Sequence, residues 1–250
     1  MLADLQFPPI GELVVWKDIG LGLNKVGLIF IAALIGTFLL FFIAGRKAQL
    51  VPTGTQNVAE SILEFIDDGI ILQTIGNEGL GWAPFLTTLF CFILICNIFE
   101  IVPFIQFPAT ARMALPASLA LLVWVIFNAV GIKHQGLGGY FKSIAFPPGV
   151  PKALYLLVTP IELLSTIIVR PFSLAVRLFA NMLAGHLLLV TFAVLSAALW
   201  AKSWQIIIWP LPVAMEIAIT GFEILVAVLQ AFIFTILTAV YIGGAMHPEH

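Results

Sequence analysis

Residues 154–199 read LYLLVTPIELLSTIIVRPFSLAVRLFANMLAGHLLLVTFAVLSAAL, an almost unbroken apolar run with Arg177 at its middle. About 20 apolar residues suffice to cross roughly 30 Å of hydrocarbon, so this stretch is read as membrane-embedded helix. Arg177 is the feature that lipid solubility does not explain. Holding an arginine at the bilayer centre costs roughly 2.5–3.5 kcal/mol on insertion scales, which makes an intramembrane charge a functional candidate. A guanidinium keeps its proton at any cellular pH, so Arg177 is a fixed positive charge that awaits a negative visitor, and it carries no proton itself.

The rest of the chain agrees with this class. Of its 250 residues 61% are hydrophobic and 10% charged, and the mean hydropathy is +1.12. These values describe an all-α integral membrane protein and not a soluble domain. A formal charge of −2 argues against a nucleic-acid partner or a polybasic lipid-binding surface. Cys91 and Cys96 share one apolar run and read as small core residues, with no metal site or cofactor expected. The N-terminal segment, 1–25, has Asp4 and no basic leader, and the apolar run after it ends on Arg46-Lys47, so that first helix reads as retained.

Working outward, residues 26–44 are uncharged and form the first span. Residues 56–72 alternate at helical spacing. Val58, Ile62, Phe65, Ile66, Gly69 and Ile70 lie on one side, and Asn57, Glu60, Ser61, Glu64, Asp67 and Asp68 on the other. This predicts a surface helix whose acidity suits contact with another protein subunit at least as well as a lipid surface. Residues 76–81 read as a loop, 84–107 and 114–132 as spans, and the basic, Gly/Pro-rich stretch 133–153 as an interfacial loop. The remaining runs, 154–199 and 206–245, would make helices of roughly 70 and 60 Å, about twice the membrane thickness. Either each breaks into two spans or both lie strongly tilted. With five crossings in a single membrane domain, basic loop residues divide into Arg46, Lys47, Lys133, Lys142 and Lys152 against Lys17, Lys25, Arg112 and Lys202. That balance favours a cytoplasmic C-terminus.

Taken as an antiparallel pair turning near residue 204, the last two runs face each other at positions whose numbers sum to about 408. His186 then meets Glu223, and Arg177 meets Gln230. Glu216, Glu223 and Gln230 are seven apart and drift by only about 20° per step, so they form one polar stripe with Thr220 and Ala227. Arg170 and Ser173 lie near the face of Arg177, with Asn181 one turn further on and the small residues Ala180 and Ala184 at its flanks. That narrow cationic face lets another helix approach closely. His186, nine residues from Arg177, points to nearly the opposite side. Alternatives stand beside these readings. Arg177 could be a structural ion pair with Glu223 or Glu216, Glu100 and Glu162 could snorkel from span ends, Arg170 could be an interfacial anchor, and Asn97 could be helix–helix glue. Glu216, after Pro210 and Pro212, could sit where water reaches.

Three stretches carry a family resemblance: PFSLAVRLFANMLAGH at 171–186, FEILVAVLQAFIFTILTAVY at 222–241 and CNIFEIVP at 96–103. The chain resembles the a subunit of the membrane sector of F-type ATP synthases, in order from about residue 26 to 242. The resemblance implies that Arg177 is the stator arginine, Asn181 and Gln230 its polar neighbours, and Asn97 a residue near the proton path. His186 and Glu223 would form an acid–imidazole pair, in the reverse arrangement to that of some relatives. Glu216, Glu162 and Glu100 complete the candidate proton-translocation set. It also implies two long tilted helices against a ring of c subunits, partners that include peripheral-stalk b-type subunits and other ATP synthase subunits, membrane lipids around them, protons as the cargo, a bacterial plasma membrane, and no catalysis by this chain alone. The competing class is a stand-alone proton-coupled transporter, whose usual internal repeats are not evident. An intramembrane hydrolase would need a motif such as HExxH or GxSxG, which the chain lacks.

Overall fold

The computed structural model describes residues 25–46, 49–102, 109–146, 154–200 and 205–246. The expected turns near residues 108 and 202–204, and most of the N-terminal segment, lie outside these ranges. Among the described residues the chain is helical, and five helices are long and apolar enough to cross a membrane.

Helix α1 (Lys25–Arg46) has no charge between its two ends and is largely exposed. Helix α2 (Thr55–Ile66) continues through a π turn, Asp67–Ile71, into a last turn at Leu72–Thr74. Its Ile66, Ile70 and Ile71 are fully buried, while Glu60, Glu64 and Asp68 face outward. The predicted amphipathic helix is thus present. Val58 and Phe65 remain about half exposed, although the Phe65 ring packs against Phe90 and Phe232. The expected loop at 76–81 is instead a 3₁₀ helix, Asn77–Trp82, which leads directly into α3 (Ala83–Ile98) with Pro84 in the first turn. There the missing proline N–H costs nothing.

Two span boundaries differ from expectation. Helix α3 stops at Ile98, with a turn over 99–102 held by Glu100 N–H to Asn97 C=O and Ile101 N–H to Ile98 C=O. The polar pair Asn97 and Glu100 and the approach of Pro103, which disfavours helical backbone in the residue before it, account for the early stop. Conversely, α4 (Ala114–Ala145) runs well into the supposed basic loop. Gly136 breaks it with a left-handed φ of 72°, a conformation open to glycine without a Cβ penalty. Beyond this break the chain folds back: Tyr140 donates its hydroxyl to Asn128 Oδ1 at 2.8 Å and lays its ring on Gly131, where a Cβ would collide with it.

The open question of one long span or two resolves toward continuity. Helix α5 (Tyr155–Trp200) runs unbroken for 46 residues, interrupted in register only by a π turn at Ser165–Val169. This turn stands just ahead of Pro171, which has no N–H to donate back toward residue 167. Helix α6 (Pro210–Met246) begins at its proline, later than position 206, because Gln205–Ile207 form a 3₁₀ turn. Helix α6 packs on α3, α4 and α5, and the small residues Ala227, Ala231, Ala239 and Gly243 on its buried side permit that approach. At Gly243 the carbonyl of Thr74 comes so close that a Cβ would stand 3.0 Å from it.

Candidate proton-translocation site

Helix α5 presents two chemically distinct faces. Leu174, Ala175, Leu178, Met182, Gly185 and His186 are buried. Arg177, Ala180, Asn181 and Ala184 form an exposed stripe at three- and four-residue spacing. Among the described residues Arg177 makes no hydrogen bond or ion pair, which removes the reading of it as a buried structural ion pair. Its charge faces outward, on a strip of small side chains.

On the buried side three titratable groups converge. His186 Nδ1 lies 3.7 Å from Glu100 Oε1. Glu223, 3% exposed, rests its carboxylate on Gly185, where any Cβ would overlap it, and it is near enough to act electrostatically on Glu100. A third group thus joins the expected pair of His186 and Glu223: Glu100 lies within ion-pairing distance of a protonated His186, and Glu223 seats against Gly185, which has no side chain to fill the gap. Glu100 is 2% exposed, so it does not snorkel. Oε1 of Glu100 and Oε2 of Glu223 are both buried without a hydrogen-bond partner. Buried carboxyl oxygens without a hydrogen bond carry a large desolvation cost, and such groups are retained where protons move.

A cavity of about 290 Å³ opens from this cluster. Glu100, His186, Glu216 and Thr220 give it a polar side, and Leu189, Val190 and Ala193 an apolar one. Ser196 Oγ donates to Glu216 Oε2 at 3.3 Å. The stripe predicted on α6 thus faces inward: Glu223, Ala227 and Gln230 are buried, while Glu216 is half-buried at the cavity's far side.

Gln230 does not meet Arg177 as the 408 register implied. Its Oε1 accepts from Asn181 Nδ2 at 2.8 Å, one helical turn along the stripe from Arg177. Asn97 ties three segments together. Its Nδ2 donates to Ala227 C=O at 3.4 Å and its Oδ1 accepts from Thr110 at 2.9 Å. Glu162 stands apart from the buried cluster, paired with Arg170 Nη2 at 2.9 Å, and the Arg170 guanidinium lies 5.5 Å from the Tyr241 ring centre. Sequence reasoning missed Gly185, Thr110, Ser196 and Tyr241. Gly185 alone left a trace, as a glycine beside the histidine in an otherwise regular helix.

The ATP synthase A chain family profile matches residues 26–243. ATP synthase subunit a of Frankia alni is 46% identical over 242 residues, covering 94% of this chain and 83% of the relative. Subunit a of Parafrankia sp. is 48% identical over 219 residues, with 87% and 73% covered. Subunit a of Hyphomonas neptunium is 40% identical over 253 residues, with 98% of each covered.

Proposed function

Because this chain belongs to the ATP synthase A chain family, the non-catalytic, proton-translocating membrane subunits of the rotary ATP synthase, we propose that Arg177 is its electrostatic divider, facing a ring of small c subunits that each carry one carboxylate. The chain is a multi-pass protein of a bacterial membrane and works with other ATP synthase subunits. Placement of b-type stalk subunits beside it and a cytoplasmic C-terminus are part of the same proposal.

The observation that carries this reading is the separation of charge on α5. Arg177 is exposed and unpaired among the described residues, and the buried proton-binding cluster lies on the other side of the same helix. The cavity bounded by Glu216, Glu100 and His186 serves as one half-channel. A proton passes from Glu216 through Glu100, His186 and Glu223 and neutralises a rotor carboxylate that has just left Arg177. The neutral site then turns into lipid. After nearly a full revolution it releases its proton into a second half-channel and returns to Arg177 as an anion. A carboxylate about 4 Å from a cation near a protein surface gains about 4 kcal/mol, enough to hold the ionised site and little enough to let it go when protonated. The same fixed charge repels a proton that would leak directly between the half-channels. Asn181 and Gln230 hold the seam between α5 and α6, and Asn97 locks α3 to α6, so that the cluster keeps its spacing.

Arg177→Ala or Arg177→Gln should abolish ATP-driven proton pumping in inverted vesicles while the complex still assembles. Arg177→Lys should also pump poorly, because an ammonium is a more strongly hydrated point charge. Pumping by the alanine variant at the unsubstituted rate overturns the divider role.

A further inference from the structure

The 3₁₀ turn Ala109–Ala111, which leads toward α4, is buried throughout, and Ala109 and Thr110 have no exposed surface at all. Connecting segments normally run over the surface, because a buried loop carries backbone groups that are hard to satisfy. This one is instead inserted among three helices. Ala111 packs with Met182 of α5 and Ala227 of α6. Thr110 reaches the end of α3, where its hydroxyl donates to Asn97 Oδ1 at 2.9 Å.

Asn97 is itself fully buried, and that one donor governs what its other end does. An amide presents an acceptor and a donor of nearly the same shape, so its orientation is set by its partners. With the oxygen satisfied by Thr110, the Nδ2 group points across to Ala227 C=O at 3.4 Å. The reversed amide would set oxygen against oxygen there. Without the Thr110 hydroxyl, Oδ1 in the present orientation would be a buried acceptor with no partner, and that penalty draws the amide away from α6.

The bridge matters because of where it stands. Asn97 comes about one turn before Glu100, and Ala227 one turn after Glu223. Helices α3 and α6 run in opposite directions, so the contact of 97 with 227 and the approach of Glu100 to Glu223 fall in one register. Further along, Phe90 and Phe232 meet the same Phe65 ring, which fits that register too. Around the two acids, His186 Nδ1 lies 3.7 Å from Glu100 and Glu216 stands across the cavity.

We infer that Thr110 is a positioning residue for proton transfer: acting through Asn97, it holds α3 against α6 at the register in which Glu100 and Glu223 serve one proton path. The inference rests on the reading of that acid pair as proton carriers.

ATP-driven proton pumping by the assembled complex in inverted vesicles, at matched complex abundance, separates the hydroxyl from its packing. Thr110→Val keeps the branched shape and deletes the donor, whereas Thr110→Ser keeps the donor and deletes a methyl. The serine variant should pump at least about fivefold faster than the valine variant, the size expected of one buried hydrogen bond. A pure packing role requires the reverse order, and either that order or equal rates overturns the inference. In an Asn97→Leu background the two substitutions should pump alike, so a serine advantage that persists there overturns action through Asn97. If Thr110→Val fails to assemble while Thr110→Ser assembles, the hydroxyl is a folding contact and the positioning role is overturned. Failure of the underlying reading looks different, because Glu223→Gln then pumps at the unsubstituted rate.

Discussion

The Glu223 carboxylate occupies the space that a side chain at Gly185 would fill. An acid on α6 is thereby seated against the backbone of α5, beside His186 and within electrostatic reach of Glu100. The absence of a Cβ at one position sets the spacing of the whole cluster.

Gly185→Ala should therefore act as a proton-path variant with little effect on assembly. The added methyl pushes Glu223 away, and displacement of a reacting group by about 1 Å can cost up to about a hundredfold in rate. Pumping and passive proton flux should fall together. Retention of both at the unsubstituted level would show that Glu223 works equally well elsewhere.

The packing of α5 on α6 predicts a cross-linking pattern. Cysteine pairs at 185 with 223 and at 181 with 230 should form disulfides under mild oxidation, whereas 177 with 216 should not, because Arg177 projects from the outer face and Glu216 lines the cavity. Native Cys91 and Cys96 are buried in α3 and should contribute little background. Equal yields for all three pairs would contradict the register.

The π turn of α5 makes an unusual prediction about deletions. Removing Ile167 converts Ser165–Val169 to regular helix and leaves Glu162 and Arg170 seven apart, still within about 20° of the same side. Pumping should survive. Removing Val176 instead leaves Arg170 and Arg177 six apart, turns Arg177 by about 100° relative to Arg170, and should abolish pumping. If both deletions fail alike, the extra residue has a role beyond register.

Asp67 offers a pH test outside the spans. Burial, with the neighbouring Asp68 charge, pushes its carboxyl above the ordinary value of 3.8, and its Oδ1 is buried without a hydrogen-bond partner. A raised folded-state value in an acid means that ionisation opposes packing, so the cost is absent below the ordinary value and is fully present once pH exceeds the raised one. Asp67→Asn should stabilise the detergent-solubilised complex at neutral pH, and the gain should shrink as pH is lowered toward about 4. A gain independent of pH would point to a cause other than charge.

The membrane class, the acidic amphipathic helix and the two-faced character of α5 were all legible in the sequence. Lipid requires every backbone polar group to be satisfied within its own helix, so apolar runs report membrane-embedded helix, but run length alone left 154–199 and 206–245 open between one span and two. Arg177 was equally plain, since no apolar run tolerates a guanidinium without a use for it. Partner choice inside the membrane was not legible. That Glu100 joins His186 and Glu223, and that Gln230 bonds to Asn181, depends on the rotational phase of each helix and on which positions lack a side chain. Hydropathy does not encode that phase. One additional residue in the π turn of α5 shifts the phase by about 100° without changing the apolar pattern, and it is this shift that gives Arg170 to Glu162. The left-handed break at Gly136 likewise turned an expected loop into a returning helix, because its stability comes from Tyr140 packing on Gly131 and bonding to Asn128, contacts that exist only once the chain has folded back.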